Sequence, residues 1–226
     1  MTKDQRPLLS WRDGNLPFST RFDDPYFSDQ SGLAETRHVF LGGNDLPARF
    51  RDGFAIGELG FGTGLNFLAT CQLWLETRQA GTLQFTSFEA FALDPGQMAR
   101  AHQAFPELAE LSQRLCGIWT PGAGRLEYLP GITLEVVAGD ARASLPNWGG
   151  QADAWFLDGF SPAKNPELWE PELMQAVAAH MRPSATLATY TAAGFVRRGL
   201  EHAGIAVERQ PGYGRKRHMM TGQLKA

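Results

Sequence analysis

No stretch of this 226-residue chain approaches the roughly 20 consecutive apolar residues that span a bilayer. The N-terminus, Met1-Thr2-Lys3-Asp4-Gln5-Arg6, lacks the apolar core of a signal peptide. There are only two cysteines, Cys71 and Cys116, and they form no C-x-x-C. Cys71 falls on the apolar side of a predicted helix, where a buried structural thiol is expected. The five histidines are scattered, with no H-E-x-x-H and no cluster. This pattern argues against a metal site and makes a reducing cytoplasm the natural compartment. No internal repeat or low-complexity segment is present. What is there is ordinary: 43% hydrophobic and 20% charged residues, enough for one domain of ample size or one domain with an arm.

The formal net charge is −3, which by itself argues against a nucleic-acid partner. Its distribution does not. Residues 190–226 hold seven basic groups against two acidic ones, a local charge of +5, and residues 1–189 hold 14 basic against 22 acidic groups, −8. Arg197-Arg198 and Arg215-Lys216-Arg217 are the dense points of that end. They fit either a phosphate-facing surface on an acidic body or a plain solvated face.

The chain is organised around Phe54-Ala55-Ile56-Gly57-Glu58-Leu59-Gly60-Phe61-Gly62-Thr63-Gly64-Leu65-Asn66. A short apolar run enters, Gly60, Gly62 and Gly64 follow at every second position, and an amphipathic run with Leu68, Cys71 and Leu75 at helical spacing leaves. That reads as strand, tight turn, helix. Three glycines near a helix can simply make a turn, but the turn also offers free N–H groups at a helix start. Glu89 closes the next predicted strand, where an acidic side chain can accept both ribose hydroxyls of a nucleoside. Glu58 lies inside the glycine stretch. A carboxylate there would repel a dinucleotide's pyrophosphate but suits a cofactor with a sulfonium and an ammonium. S-adenosylmethionine fits that acidic lining better than NAD.

Residues 1–50 lack strong periodicity and are rich in aromatics and turn formers, which predicts an arm packed over one end of the sheet as a short hairpin. Tyr26 and Phe27 serve there either as packing residues or as a pocket wall. From residue 51 to 226 strands and helices alternate. Strands are predicted at Phe54–Leu59, Leu83–Phe88, Ile132–Val137, Ala154–Leu157, Thr186–Tyr190, Ile205–Arg209 and Arg217–Thr221. Asp94-Pro95-Gly96-Gln97 predicts a capped helix start. Leu173, Val177 and Met181 are read as one face of a helix starting near Pro171. Such alternation means an α/β fold with a mostly parallel, doubly wound sheet, whose ligands bind beyond the carboxyl ends of the strands. Gly60–Gly64, Glu89, Asp140 and Asp158 are those ends.

Asp140 is positioned to accept from the exocyclic amine of adenine. Asp158 begins Asp158-Gly159-Phe160-Ser161-Pro162, which resembles the acidic–Pro–aromatic loop of amino-group methyltransferases. There the acidic side chain and a loop carbonyl hold a nitrogen nucleophile. The alternative is a loop cap.

Six longer segments carry a closer resemblance: 22–28 (FDDPYFS), 32–44 (GLAETRHVFLGGN), 60–68 (GFGTGLNFL), 153–166 (DAWFLDGFSPAKNP), 193–200 (AGFVRRGL) and 212–219 (GYGRKRHM). Together they resemble the methyltransferase half of the MnmC family over nearly the whole chain. The resemblance implies a Rossmann-like methyltransferase fold. It also implies methylation of the aminomethyl group of 5-aminomethyl-(2-thio)uridine at the tRNA wobble position, with S-adenosylmethionine. Glu58, Gly60, Phe61, Gly62, Gly64, Asn66, Glu89, Asp140 and Asp158 would hold the cofactor, with Asp158 beside the acceptor amine. Tyr26, Phe160 and the basic residues Arg197, Arg198, Arg215, Lys216 and Arg217 would face substrate or tRNA. That family continues into an FAD-dependent oxidase. No second glycine fingerprint follows here, so no FAD is expected in this chain and the oxidase would be a separate or fused partner.

Two rivals remain at this stage. Aminopropyl transfer of the spermidine synthase type uses the same fold and a related sulfonium but needs no basic tail. A non-catalytic tRNA-binding module would not bind the cofactor. A short-chain dehydrogenase is disfavoured: Tyr26, Tyr128, Tyr190 and Tyr213 are followed four residues later by Gln30, Ile132, Gly194 and Arg217, never Lys.

Overall fold

The computed structural model describes residues 6–29, 31–78 and 80–225. Met1–Gln5, which bear on the signal-peptide reading, lie outside the described residues, as do Gln30 and Ala226. Strands β1 (Leu9–Arg12), β2 (Leu16–Ser19) and β3 (Asp24–Pro25) form a small antiparallel sheet, one strand more than the hairpin expected of this region. Helix α1 (Gly32–Thr36) follows, its first turn capped by Ser31 Oγ, which accepts from the Ala34 N–H. A π-helical turn, Arg37–Leu41, and a 3-10 turn, Gly42–Asn44, lead into the main sheet.

β4 (Phe54–Leu59) has the bounds its apolar run implies. After it come α2 (Leu65–Glu76), β5 (Leu83–Glu89), α3 (Pro95–His102), α4 (Ala109–Ile118), β6 (Gly124–Leu129) and β7 (Ile132–Ala138). Then follow α5 (Ala141–Ser144), β8 (Ala152–Leu157), α6 (Pro171–Ala179), β9 (Met181–Thr189), α7 (Gly194–His202), β10 (Ile205–Pro211) and β11 (His218–Leu224). The eight strands of the main sheet lie in the order β10-β11-β9-β8-β4-β5-β7-β6. The five central strands are mutually parallel, and β6 and β11 run against their neighbours.

The central strands are buried on both faces, as a parallel sheet with helices on each side requires. Along β8, Ala154 and Phe156 join the core under α2, α3 and α4, and Trp155 and Leu157 join the core under α5, α6 and α7. Gly57 on β4 makes room for Trp155: a Cβ there would stand 2.7 Å from the indole. Overpacking of that kind costs about 1–3 kcal/mol. The chain moves outward from β4 through β5 to β7, then crosses back to β8 on the other side of β4. The strand order therefore reverses between β4 and β8, where open α/β sheets form their ligand crevice.

Three sequence expectations need correction. Met181 is the first residue of β9 and lies beyond the end of α6. Pro183 explains this, because a proline disfavours helical backbone in the residue before it and cannot continue the hydrogen-bond ladder. β9 accordingly starts five residues before the predicted Thr186, with a register shift against β8 between Ala152 and Ala154. Leu75 is 47% exposed, and Trp74 takes its place on the buried side of α2 beside Leu68 and Cys71.

Among the described residues no helix is long and apolar enough to cross a membrane. No group of three or more His, Cys, Asp or Glu side chains among them could hold a metal ion.

Candidate active site

A cavity of about 770 Å³ opens at the carboxyl ends of β4, β5 and β8, at the reversal of strand order. The turn after β4 forms its floor. Gly60 has φ 89°, and a Cβ on it would lie 2.4 Å from the Asp158 carbonyl oxygen, so only glycine lets the β4 and β8 loops approach this closely. Gly64 takes φ 80° as the residue preceding α2, and a Cβ there would meet the Phe61 ring at 2.9 Å.

Glu89 at the end of β5 is fixed by backbone donors. The Gly62 N–H donates to Oε2 at 2.9 Å and the Phe91 N–H donates to Oε1 at 2.6 Å. Burial pushes its carboxyl above the ordinary value, and these donors oppose that. Each carboxylate oxygen keeps a further lone pair for a hydroxyl.

Neither Glu58 nor Gly64 lines the cavity, so of the expected cofactor residues these two stand behind it. Glu58, one residue before the end of β4, is fully buried. Its Oε1 accepts from Asn66 Nδ2 at 2.9 Å and its Oε2 from Ser87 Oγ at 2.7 Å. Burial raises its pKa to about 8 against those two bonds. The same Asn66 Nδ2 donates its other hydrogen to Asp158 Oδ2 at 2.7 Å, and Thr36 Oγ1 donates to Asn66 Oδ1 at 2.8 Å. The amide orientation is thereby determined: turned over, its oxygen would face two carboxylates. Asp158 is pushed up to about 7, first by burial and also by the charge of Glu35, whereas Asn66 and Lys216 hold it down. The first turn of α2 and the first helix of the chain thus bridge two carboxylates at adjacent strand ends.

The part of the cavity beside the loop after β8 is walled by aromatics. Phe22 stacks on Phe160 with ring centroids 4.8 Å apart, and Tyr26 meets Phe160 edge-on at 5.1 Å. The Tyr26 ring also lies 3.3 Å from where a Gly62 Cβ would be. Burial, reinforced by the Glu89 charge, raises the Tyr26 hydroxyl far above its usual range, so it stays neutral. The loop after β8 is tied down at several points. Asp24 Oδ2 accepts from the Ser161 N–H at 2.9 Å, and Lys164 bonds to Asp23. The Gly159 carbonyl accepts from Tyr190 Oη at 2.7 Å and the Phe160 carbonyl from Trp169 Nε1 at 2.9 Å.

Other sequence candidates are engaged in different ways. Asp140 lines the cavity but caps α5 and pairs with Arg142 at 2.7 Å, with its side chain 47% exposed. That guanidinium holds its carboxyl below the ordinary value. Arg215 and Lys216 also line the cavity, and Lys216 Nζ donates to Glu35 Oε1 at 2.7 Å. Arg217 is exposed just outside β11. Arg197 and Arg198 lie on α7, which follows the end of β9, and Arg197 pairs with Glu201 at 3.2 Å. Neither of these two arginines lines the cavity. Sequence reasoning missed Glu35, Thr36, Ser87 and Tyr190. Glu35 and Thr36 stood inside the segment 32–44 that carried the resemblance, and only their place opposite Asn66 and Lys216 reveals a use.

The residues fit a nucleoside sulfonium cofactor. Backbone of the Gly60–Thr63 turn lines the cavity beside Glu89, whose carboxylate is oriented by backbone N–H groups, and Asp158 and Glu35 add carboxylates that suit a cationic ligand.

Comparison with known proteins agrees with that chemistry. The chain is 49% identical over 232 residues to a tRNA 5-methylaminomethyl-2-thiouridine biosynthesis bifunctional protein MnmC of Pseudomonas aeruginosa (strain UCBPP-PA14), covering 98% of this chain and 36% of that protein. It is 47% identical over 231 residues to the protein of the same name from Aeromonas salmonicida (strain A449), covering 95% of this chain and 35% of that one. The chain therefore spans about a third of the length of the curated relatives it matches. Among solved structures, MNMC2 from Aquifex aeolicus superposes with a TM-score of 0.76 at 24% identity, covering 100% of this chain and 72% of that chain, a likeness that speaks for the fold. The family described as S-adenosyl-L-methionine-dependent methyltransferase matches residues 106–225, more than half of the sequence, and includes β8 with its terminal Asp158. The matched residues cover more than half of the sequence, and this chain belongs to the S-adenosyl-L-methionine-dependent methyltransferases.

Proposed function

We propose that the chain methylates the aminomethyl nitrogen of 5-aminomethyl-(2-thio)uridine at the tRNA wobble position, giving 5-methylaminomethyl-(2-thio)uridine. The observation that carries this reading is the state of Asp158. It sits at the end of β8 in an aromatic-walled cavity, held at Oδ2 by Asn66, with a pKa of about 7. A primary amine reaches the site as an ammonium and must lose a proton before its lone pair can attack. A carboxylate poised near neutrality can take that proton, and Oδ1, the oxygen that Asn66 does not hold, is its acceptor. The name carried by the relatives, 5-methylaminomethyl-2-thiouridine biosynthesis, supports the choice of amine.

The cofactor would be held by Glu89 at its ribose hydroxyls and by the Gly60–Gly64 turn, with Glu58 behind the cavity wall orienting Asn66. When bound, S-adenosylmethionine supplies an electrophilic methyl group on a sulfonium. The protein's part is positioning, desolvation and proton removal. Tyr26, Phe22 and Phe160 exclude water from the acceptor side. Asp140, bound to Arg142, is the outermost of the cofactor candidates. Arg215 and Arg217 give the tRNA its phosphate contacts, with Arg197 and Arg198 further along the same rim. The relatives are bifunctional, so an FAD-dependent oxidase, fused or separate, is the proposed partner.

The test is mass spectrometry of nucleosides from tRNA carrying 5-aminomethyl-2-thiouridine, incubated with the chain and methyl-labelled cofactor. The label is expected on that nucleoside alone. Spermidine formed from putrescine and decarboxylated cofactor in a parallel incubation, with the tRNA left unlabelled, would establish aminopropyl transfer instead.

A further inference from the structure

One ammonium group already sits in the acceptor half of the cavity. Lys216 Nζ bonds to Glu35 Oε1 at 2.7 Å and stands 3.9 Å from the centroid of the Tyr190 ring. The Glu35 side chain is 11% exposed and that of Lys216 44%. A nearly buried carboxylate on α1 thus meets a half-exposed cation on the turn between β10 and β11. A carboxylate at that depth is costly without a cation, so its position calls for one. Tyr190 Oη is committed to the Gly159 carbonyl, which leaves the ring face to meet the charge. The same ammonium acts electrostatically on Asp158. A carboxylate and an aromatic face are therefore assembled around the CH2–NH3+ terminus of a lysine, in a cavity that Asp158 also lines. A substrate aminomethyl group ends in the same CH2–NH3+.

We propose that Lys216 is an internal placeholder: its ammonium occupies an acceptor-ammonium subsite formed by Glu35 and the Tyr190 ring, in the cavity that Asp158 lines, and yields it when the substrate's aminomethyl group enters. The inference rests on the amine-methylation reading above and deepens it, because it assigns Glu35 and Tyr190 to amine recognition. The displaced lysine remains beside Arg215 on an exposed turn, where a phosphate of the incoming RNA replaces Glu35 as its partner. The alternative is an ordinary ion pair that latches the turn to α1 and recognises nothing.

Calorimetry with benzylammonium, a bare aryl-CH2–NH3+ probe, separates the two without tRNA. Lys216→Met keeps the aliphatic stem and removes the competing charge. It is expected to bind the probe about tenfold more tightly than the wild-type chain, the size of one competing charge-assisted contact. Glu35→Gln added to Lys216→Met should abolish that gain. S-adenosylmethionine titration of each variant checks that it is folded. If Lys216→Met fails that check because Glu35 is stranded, Lys216→Gln, which keeps a neutral donor for Glu35, carries the same expectation. Probe affinity equal to wild type in the folded variant, or a double variant as tight as the single one, overturns the proposal. Failure of the wild-type chain to methylate tRNA would overturn the substrate assignment and leave the benzylammonium result to be read on its own.

Discussion

The two halves of the cavity are built differently. The proposed cofactor half is local: the Gly60–Gly64 turn and Asn66, with Glu58 buried behind them, come from one continuous stretch, and Glu89 lies one helix and one strand further on. The proposed acceptor half is assembled from four distant places: the stretch before α1 with α1 itself, the loop after β8, Tyr190 and the turn before β11. In the first, backbone geometry does most of the work, through glycine conformations and N–H donors. In the second, long-range side-chain bonds do it, such as Asp24 to Ser161 and Lys216 to Glu35. A cofactor shared by many enzymes can be met by a short motif, whereas a particular acceptor needs a surface gathered from the whole chain.

If that division holds, substitutions should separate cleanly. The largest effect is expected from Asp158→Asn. Methyl transfer should fall about 10²–10⁴-fold, the usual worth of a positioned general base, with cofactor affinity retained. The wild-type rate should level off above about pH 7, where Asp158 is ionised. The variant should keep climbing as the free amine deprotonates, so the gap is widest at low pH. Wild-type turnover across pH would leave Asp158 as a loop cap.

Glu89→Ala should do the reverse and weaken cofactor binding in calorimetry, by roughly 1.5–3 kcal/mol for each charge-assisted bond lost. Because Glu89 also holds the Gly62 and Phe91 N–H groups, Glu89→Gln should recover part of the loss. Unchanged affinity in the alanine variant would remove Glu89 from the site.

Glu58→Gln tests burial itself. A carboxyl whose folded pKa is raised contributes fully below its ordinary value of 4.5 and loses that contribution as pH rises through about 8. The glutamine variant keeps an acceptor for Asn66 and a donor for Ser87 without the titration. Its melting temperature should exceed the wild type by a margin growing from pH 5 to 8, reaching several °C. A margin independent of pH would mean that Glu58 is not destabilised by burial.

On the acceptor side, Arg215→Ala with Arg217→Ala should weaken tRNA binding and lower the salt slope of log K by about 0.9 per lost duplex contact, or about 0.7 per single-strand contact. Cofactor affinity should not change. A filter-binding salt titration with the wild-type slope would move the tRNA elsewhere. The smallest effect is expected from Asp140→Asn. Its carboxylate is half exposed and already paired with Arg142, so cofactor affinity should drop by about 1 kcal/mol or less.

The same division decides what could be read from the sequence. The β4 bounds, the glycine turn, Glu89 as a strand end and the Asp94–Gln97 capping box all follow from periodicity and neighbours a few residues apart. Met181 went astray because helical spacing from Val177 outweighed Pro183 two residues later. Leu75 went astray because a spacing of four from Cys71 fits two sides of α2, and only packing against Phe50 selects Trp74. Glu35 was illegible as a site residue, since nothing within reach along the chain distinguishes it from a helix-start acid. Its partner is 181 residues away. Asn66 stood in the motif, but its bridging of Glu58 to Asp158 depends on the β4–β8 pairing, which strand alternation does not specify.

Asn66 has two N–H groups, and each is committed to a different carboxylate, one on the cofactor side and one on the acceptor side. No common residue replaces it. Aspartate would set three carboxylates together, serine offers one donor, and glutamine is a methylene too long. Groups within one hydrogen-bond network do not respond additively to substitution. In evolutionary terms position 66 is the constrained one: a lineage that changes it disturbs both carboxylates in the same step, whereas a change at 158 alone leaves the bond from Asn66 to Glu58 in place. New acceptors are therefore more accessible by redrawing Phe22, Tyr26 and the turn before β11, which leaves the shared amide in place.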